Sequence, residues 1–148
     1  MKNKTIRFFL DDIRNPEDVY KYTKLSIYLE DWLIVRDYDS FIRAILYHGI
    51  PDTISYVHDL GDLNTPGTEK TGYDCAKWLV NHFYDKNPDW EKLGRIQKKS
   101  LKFNFPSVYT HSANPIGSAN IMGYVNNFLM NEGQQQTCIR VQISHTTN

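Results

Sequence analysis

The chain is poor in cysteine, carries no net charge and has no long apolar run. Cys75 and Cys138 are its only thiols; they stand far apart and form no CxxC pair. That excludes a disulfide framework and a thiolate metal site, and leaves two buried or half-buried thiols in a reducing compartment. Lys plus Arg number 17 and so do Asp plus Glu, for a formal net charge of zero. With no overall basic field, membrane and long duplex DNA are excluded as partners, and recognition by charge must be local. No apolar stretch nears the roughly 20 residues that span a bilayer. Met1 to Lys4 lead into a strand-like run too short for a signal-peptide core. The expectation is a cytoplasmic protein; the richness in Asn and Lys points to an AT-rich genome, and a phage gene would place its product in the host cytoplasm. Protein partners are not legible from these residues.

What is present is a globular composition. The 148 residues are 41% hydrophobic and 14% aromatic, with no repeat or linker, which fits one domain over residues 1–148. Short β-branched and aromatic runs at 5–10, 32–36, 53–57 and 107–110 read as strands, and the alternating 137–144 as a last, edge strand. Between them, Phe41, Ile42, Ile45 and Leu46 share a helix face that Asp39 or Ser40 caps and Gly49 ends. Helices also follow at 72–83 and from the Asn114-Pro115 pair to about 130. Residues 13–31 fit a helix or a loose hairpin equally, 60–71 a polar loop, and 85–104 a polar connection rich in Lys. Strands alternating with helices predict an α/β fold: a doubly wound parallel sheet of about five strands, helices on both faces.

Three segments fall where strands should end: Leu10-Asp11-Asp12-Ile13-Arg14, Val57-His58-Asp59-Leu60-Gly61 and His111-Ser112-Ala113-Asn114-Pro115. In an open α/β sheet, ligands bind at the carboxyl ends of the strands. An isolated Asp-Asp is more often a capped turn than a ligand pair. In a sheet ordered 2-1-3-4-5, however, the first and third strands are neighbours. Asp11, Asp12 and Asp59 then form an oxygen-rich pocket suited to a divalent metal, Mg²⁺ or Mn²⁺. Asp62 is a possible fourth carboxylate, though a loop aspartate is usually just solvated. His58 and His111, each more often structural when taken alone, flank this pocket as acid and base in either order. Arg14 steadies an aspartate or contacts a phosphate. Ser112 and Asn114 precede a helix start whose free amides and dipole favour an anion. The basic run of Lys92, Arg95, Lys98, Lys99 and Lys102 reads first as a solvated face, with a grip on nucleotide or RNA phosphates the lesser alternative.

The acidic pair, the aspartate after the third strand and the Ser-Ala after the fourth resemble a receiver domain of two-component signalling. The fuller pattern resembles the cyclic-phosphate-processing receiver-like family: Leu10 to Pro16, His58-Asp59-Leu60-Gly61, Gly72-Tyr73-Asp74 and His111 to Pro115 carry it, over about residues 5–130. The resemblance implies a receiver/flavodoxin-like sheet of order 2-1-3-4-5. It also implies action on a cyclic phosphate in a nucleotide or at an RNA end. Two departures stand out. Val57 occupies the place of the family's first central aspartate, and residues 137–144 hold no counterpart of the receiver lysine. The expectation is therefore a metal-dependent cyclic phosphodiesterase. The alternatives are a non-catalytic binder that sequesters a cyclic nucleotide, favoured by Val57, and a signalling receiver phosphorylated on Asp59.

Overall fold

A computed structural model of the chain describes residues 4–61, 69–100, 105–134 and 138–141. The first strand, β1 (Arg7–Leu10), is followed by helix α1 (Pro16–Thr23), a 3₁₀ turn (Ser26–Leu29) and β2 (Leu33–Val35). Helix α2 (Tyr38–His48), β3 (Thr53–Tyr56), helix α3 (Gly72–Lys86) and a second 3₁₀ turn (Trp90–Lys92) come next. The chain continues through α4 (Arg95–Ser100), β4 (Ser107–Thr110), α5 (Pro115–Asn131) and β5 (Ile139–Arg140). All strand pairs are parallel, in the order β2-β1-β3-β4-β5. This is the order implied by the resemblance, with the β1–β3 junction at its centre.

Alternation of side chains across the strands divides the core in two. Phe8, Leu10, Ile54, Tyr56 and Val108 pack against Phe41 and Ile45 of α2, Leu79 and Phe83 of α3, and Ile121 and Val125 of α5. On the other face Phe9 packs with Val19 of α1, Tyr28 of the first 3₁₀ turn and Val141. Fully burying each such aromatic or aliphatic side chain contributes about 1.5–3 kcal/mol.

Register decides what reaches the strand ends. Leu10 is level with Val35 and Tyr56, and Tyr56 with Thr110. The ladder extends one residue further, because the Asp11 amide donates to the Val35 carbonyl, Val57 to Leu10 and His111 to Tyr56. Asp11, Val57 and His111 therefore leave the sheet side by side.

The caps explain several boundaries. Asn15 and Asp18 form a capping box ahead of Pro16, so 13–31 begins as a helix rather than a hairpin. Helix α2 is capped by Asp37, not by Asp39 or Ser40. Asp37 is extended, at φ −151°, and its carboxylate accepts from the Ser40 amide at 2.7 Å. Thr71 and Asp74 form a capping box at the start of α3.

The stretch 85–104, expected as a polar connection, contains α4 and a buried anchor. Glu132, at the end of α5, accepts from Lys98 Nζ at 2.5 Å, from Trp90 Nε1 at 2.9 Å and from the Tyr84 hydroxyl. Lys98 is largely buried in this contact, so it is no part of a solvated face, whereas Lys92 is exposed beside Asp89. Lys102, like Asp62, lies outside the described residues. The last expected strand, 137–144, is described only as Ile139–Arg140 on the edge beside β4.

Candidate functional site at the strand ends

Asp11 is fully buried, and all its acceptor capacity is used. Oδ1 accepts from the amides of Ile13 at 3.0 Å and Arg14 at 2.9 Å; Oδ2 accepts from His111 Nε2 at 3.0 Å and, more weakly, from Arg14 Nη1 at 3.4 Å. A carboxylate offers about four lone-pair sites. Burial by itself would raise the pKa of Asp11, but the His111 bond and the backbone amides outweigh it and hold the group well below the usual carboxylate range. Burial dominates at His111 and pushes its pKa down, with Asp11 opposing. Both directions favour an imidazole that donates through Nε2 to an accepting carboxylate.

The turn that carries Asp11 is clamped from β2. Arg36 Nη1 donates to the carbonyls of Asp11 at 3.2 Å and Arg14 at 2.6 Å, and Nη2 donates to Asn15 Oδ1 at 2.6 Å. Asp12, on the outer side, is half-buried. Desolvation and the neighbouring Asp11 charge raise its pKa, a condition that a cation would relieve. Its Oδ2 lies so near Gly61 that a Cβ there would sit 2.8 Å away. Gly61 also has φ +58°, so glycine meets both demands. The β1 and β3 ends therefore share one space.

Beyond β3 the chain turns outward. His58 Nδ1 lies 3.0 Å from Asp59 Oδ1, with the histidine side chain 19% and the aspartate 69% exposed. A carboxylate can only accept, so Nδ1 is the donor in this bond, and in the neutral ring the lone pair lies on Nε2. Asn114 spans the gap to β4: its Nδ2 donates to Asp59 Oδ2 at 3.4 Å, while its Oδ1 caps the Gly117 amide at 2.9 Å. The His58 ring lies on the first turn of α5, where a Cβ on Gly117 would be 2.2 Å from Cγ. Gly72 likewise lets α3 approach β3, since its Cβ would meet the Val57 carbonyl oxygen at 1.7 Å.

The expected residues thus fall into two layers. Asp11, His111 and the inward edge of Arg14 form an inner layer; Asp12, His58, Asp59 and Asn114 form an outer one. His111 is wholly buried with both nitrogens engaged, so the expected acid–base pair of two histidines facing one ligand is not assembled. Ser112 is buried and accepts the Asn114 amide at 3.1 Å, which shapes the turn instead of presenting a hydroxyl. The capped Gly117 amide and the missing N–H of Pro115 leave the α5 start with fewer free donors than expected.

The three carboxylates also do not converge as expected. Among the described residues no group of three or more His, Cys, Asp or Glu side chains is placed to hold a metal ion. Mg²⁺, however, is commonly held by one or two carboxylates, with water and substrate phosphate completing the shell. Asp12 and Asp59 are hard oxygen donors of the type such an ion takes; Asp11, its acceptor sites already used, does not add to them.

Sequence reasoning missed Tyr28, Ser55, Arg36 and Gly117. Arg36 closes a strand-like run at the height of Asp11 and was legible to that extent; the other three carry no local signal. The chemistry also lies away from a cavity of about 350 Å³ at the amino ends of β1 and β2, lined by Arg7, Trp32, Leu33 and His48.

Among the described residues no helix is long and apolar enough to cross a membrane. Neither a curated protein nor a solved structure matches the chain. The family model of the cyclic-phosphate processing receiver domain matches residues 6–127, a span that contains the sheet from β1 to β4 and every residue of the two layers. The chain therefore belongs to the cyclic-phosphate processing receiver domain family.

Proposed function

We propose that the chain is a phosphoesterase that opens a cyclic phosphate in a nucleotide or at an RNA end. The observation that carries this reading is the His58–Asp59 pair, 3.0 Å apart beside Asn114 and the start of α5, with the carboxylate exposed and the imidazole partly so. Asp59 orients the imidazole and supports the charge it gains, so His58 Nε2 is the general base. Water attacks phosphorus and gives its proton to Nε2. The bond from phosphorus to one ring oxygen breaks, and that oxygen takes a proton back from His58, leaving a monoester one water heavier. Arg14 keeps free guanidinium donors for the phosphate oxygens while one of its nitrogens rests on Asp11. A divalent cation held by Asp12 and Asp59 would supply charge neutralisation at the phosphoryl oxygens.

The test is a reaction with Mg²⁺ or Mn²⁺ and a panel of cyclic mononucleotides, cyclic oligonucleotides and RNA ends bearing a cyclic phosphate, resolved by mass spectrometry. The gain of one water on one class supports the esterase. A second reading, a binder that sequesters a cyclic nucleotide, is favoured by Val57, which is buried in the core where the family places an aspartate. Tight retention of one compound without product would establish that reading and overturn the first.

A further inference from the structure

Behind Asp11 runs a line of hydrogen bonds that the esterase reading does not use. Tyr28 Oη lies 2.7 Å from Ser55 Oγ, Ser55 Oγ lies 2.7 Å from His111 Nδ1, and His111 Nε2 reaches Asp11 Oδ2 at 3.0 Å. The four side chains come from the first 3₁₀ turn, β3, the end of β4 and the end of β1, and all are buried. The His111 ring is held flat on Phe9, with centroids 4.4 Å apart and planes at 11°, and meets Tyr28 edge-on at 6.4 Å.

Donor accounting gives the line one direction. Asp11 accepts two backbone amides on Oδ1 and the Arg14 guanidinium on Oδ2, so it meets the imidazole as an acceptor and the ring proton sits on Nε2. With one ring proton, on Nε2, Nδ1 accepts, and among the described residues the Ser55 hydroxyl is the donor within reach. Ser55 oxygen in turn accepts from the phenol of Tyr28, which ends the line as a donor and leaves no buried polar atom of the four unpaired. A phenylalanine at 28 or an alanine at 55 would fill similar space without this order, so packing alone does not require either hydroxyl.

We infer that Tyr28 and Ser55 are positioning residues, which through His111 hold Asp11 in the one orientation that sets the turn carrying Asp12 and Arg14. The functional consequence rests on the esterase reading above; the hydrogen-bond order does not. Asp11 Oδ1 accepts from the amides of Ile13 and Arg14, so a loosened Asp11 loosens both phosphate-side residues together.

Long-range ¹H–¹⁵N correlation spectra of the full chain test the order directly. His111 is expected as the Nε2–H tautomer with Nδ1 unprotonated; an Nδ1–H tautomer in the unaltered protein would overturn the inference. In Ser55→Ala the Nδ1 resonance should move toward that of an imidazole nitrogen without a donor, and amide exchange at Ile13 and Arg14 should quicken about tenfold. Ser55→Thr, which keeps a hydroxyl, should restore both. On whichever cyclic phosphate the chain turns over, Tyr28→Phe and Ser55→Ala should lower kcat about tenfold with KM unchanged. Folded variants with unchanged spectra, exchange and kcat would overturn the inference. Absence of turnover in the unaltered protein would remove the esterase reading, while the tautomer and the amide exchange would still decide the positioning role.

Discussion

Gly117 lies directly beneath the ring of His58, so closely that a Cβ would fall 2.2 Å from Cγ and 2.6 Å from Cδ2. The helix start that caps itself through Asn114 is thus also the surface on which the proposed base rests. Gly117→Ala gains up to about 1 kcal/mol in helix preference, but its Cβ would also fall 2.5 Å from the His58 Cβ, so the backbone at this junction must give as well as the ring. The substitution must displace the imidazole, and a misplacement of about 1 Å costs on the order of a hundredfold in rate. Turnover assays alongside thermal unfolding check this; an unchanged rate would separate His58 from the reaction.

Asp59 is the most exposed member of the site, and its loss should cost chemistry and not stability. Asp59→Asn keeps shape and polarity but withdraws the charge that orients and supports His58. A loss of about a hundredfold or more in kcat, with the melting temperature unmoved, is expected. Full activity in this variant would sink the proposed mechanism.

Metal dependence has its own signature. Chelation with EDTA should abolish turnover, and added Mg²⁺ should restore it. Asp12→Asn should raise the Mg²⁺ concentration needed by about tenfold or more. Asp11→Asn should instead disturb the fold, because it replaces a carboxylate that accepts four hydrogen bonds. Equal metal requirements in Asp12→Asn and the unaltered protein would remove Asp12 as a ligand.

Val57→Asp restores the residue type that the family pattern places there. Val57 is 3% exposed and packed with the α2–α3–α5 core, so the new carboxylate would be desolvated without a partner. A destabilisation of about 3 kcal/mol in urea unfolding and no gain in turnover are expected. A faster enzyme would mean that the valine is what limits catalysis.

Glu132 predicts how stability varies with pH. Burial pushes its pKa up, but the bonds from Lys98, Tyr84 and Trp90 outweigh it and hold the group below its ordinary 4.5. A group depressed in the folded state contributes stability above its unfolded pKa and loses that contribution as pH falls through the folded value. Glu132→Gln should therefore cost about 2 kcal/mol near neutrality, and the gap from the unaltered protein should narrow as pH drops below about 4.5. Urea unfolding at neutral and acid pH measures it; a gap that widens in acid would contradict the assignment.

Much of this was legible because it is local. Alternating or wholly apolar runs such as Phe8 to Leu10 and Ile54 to Tyr56 declare buried strands. Asn114-Pro115 declares a helix start, and a βαβ order leaves few sheet topologies open. The motif residues at three strand ends were enough to identify the family and to collect Asp11, Asp12, His58, Asp59 and His111 at one edge. The hairpin alternative for 13–31 and the cap of α2 were not settled, since both turn on a side-chain bond between residues three apart that several Asp, Asn and Ser residues can make equally well.

The sequence by itself determined the strand ends, the family and the set of polar residues at the carboxyl edge, because periodicity and motif spacing are written along the chain. Only the tertiary structure decided which of those residues face solvent. His58 and His111 look equivalent in sequence, each ending a strand beside a polar partner. Strand parity and the stack on Phe9 turn His111 inward onto Asp11, while the chain's outward turn after Val57 leaves His58 paired with Asp59 at the surface. Tyr28 and Ser55 meet them only because four distant segments pack on one face of the sheet, and that packing leaves no trace in any local stretch of sequence.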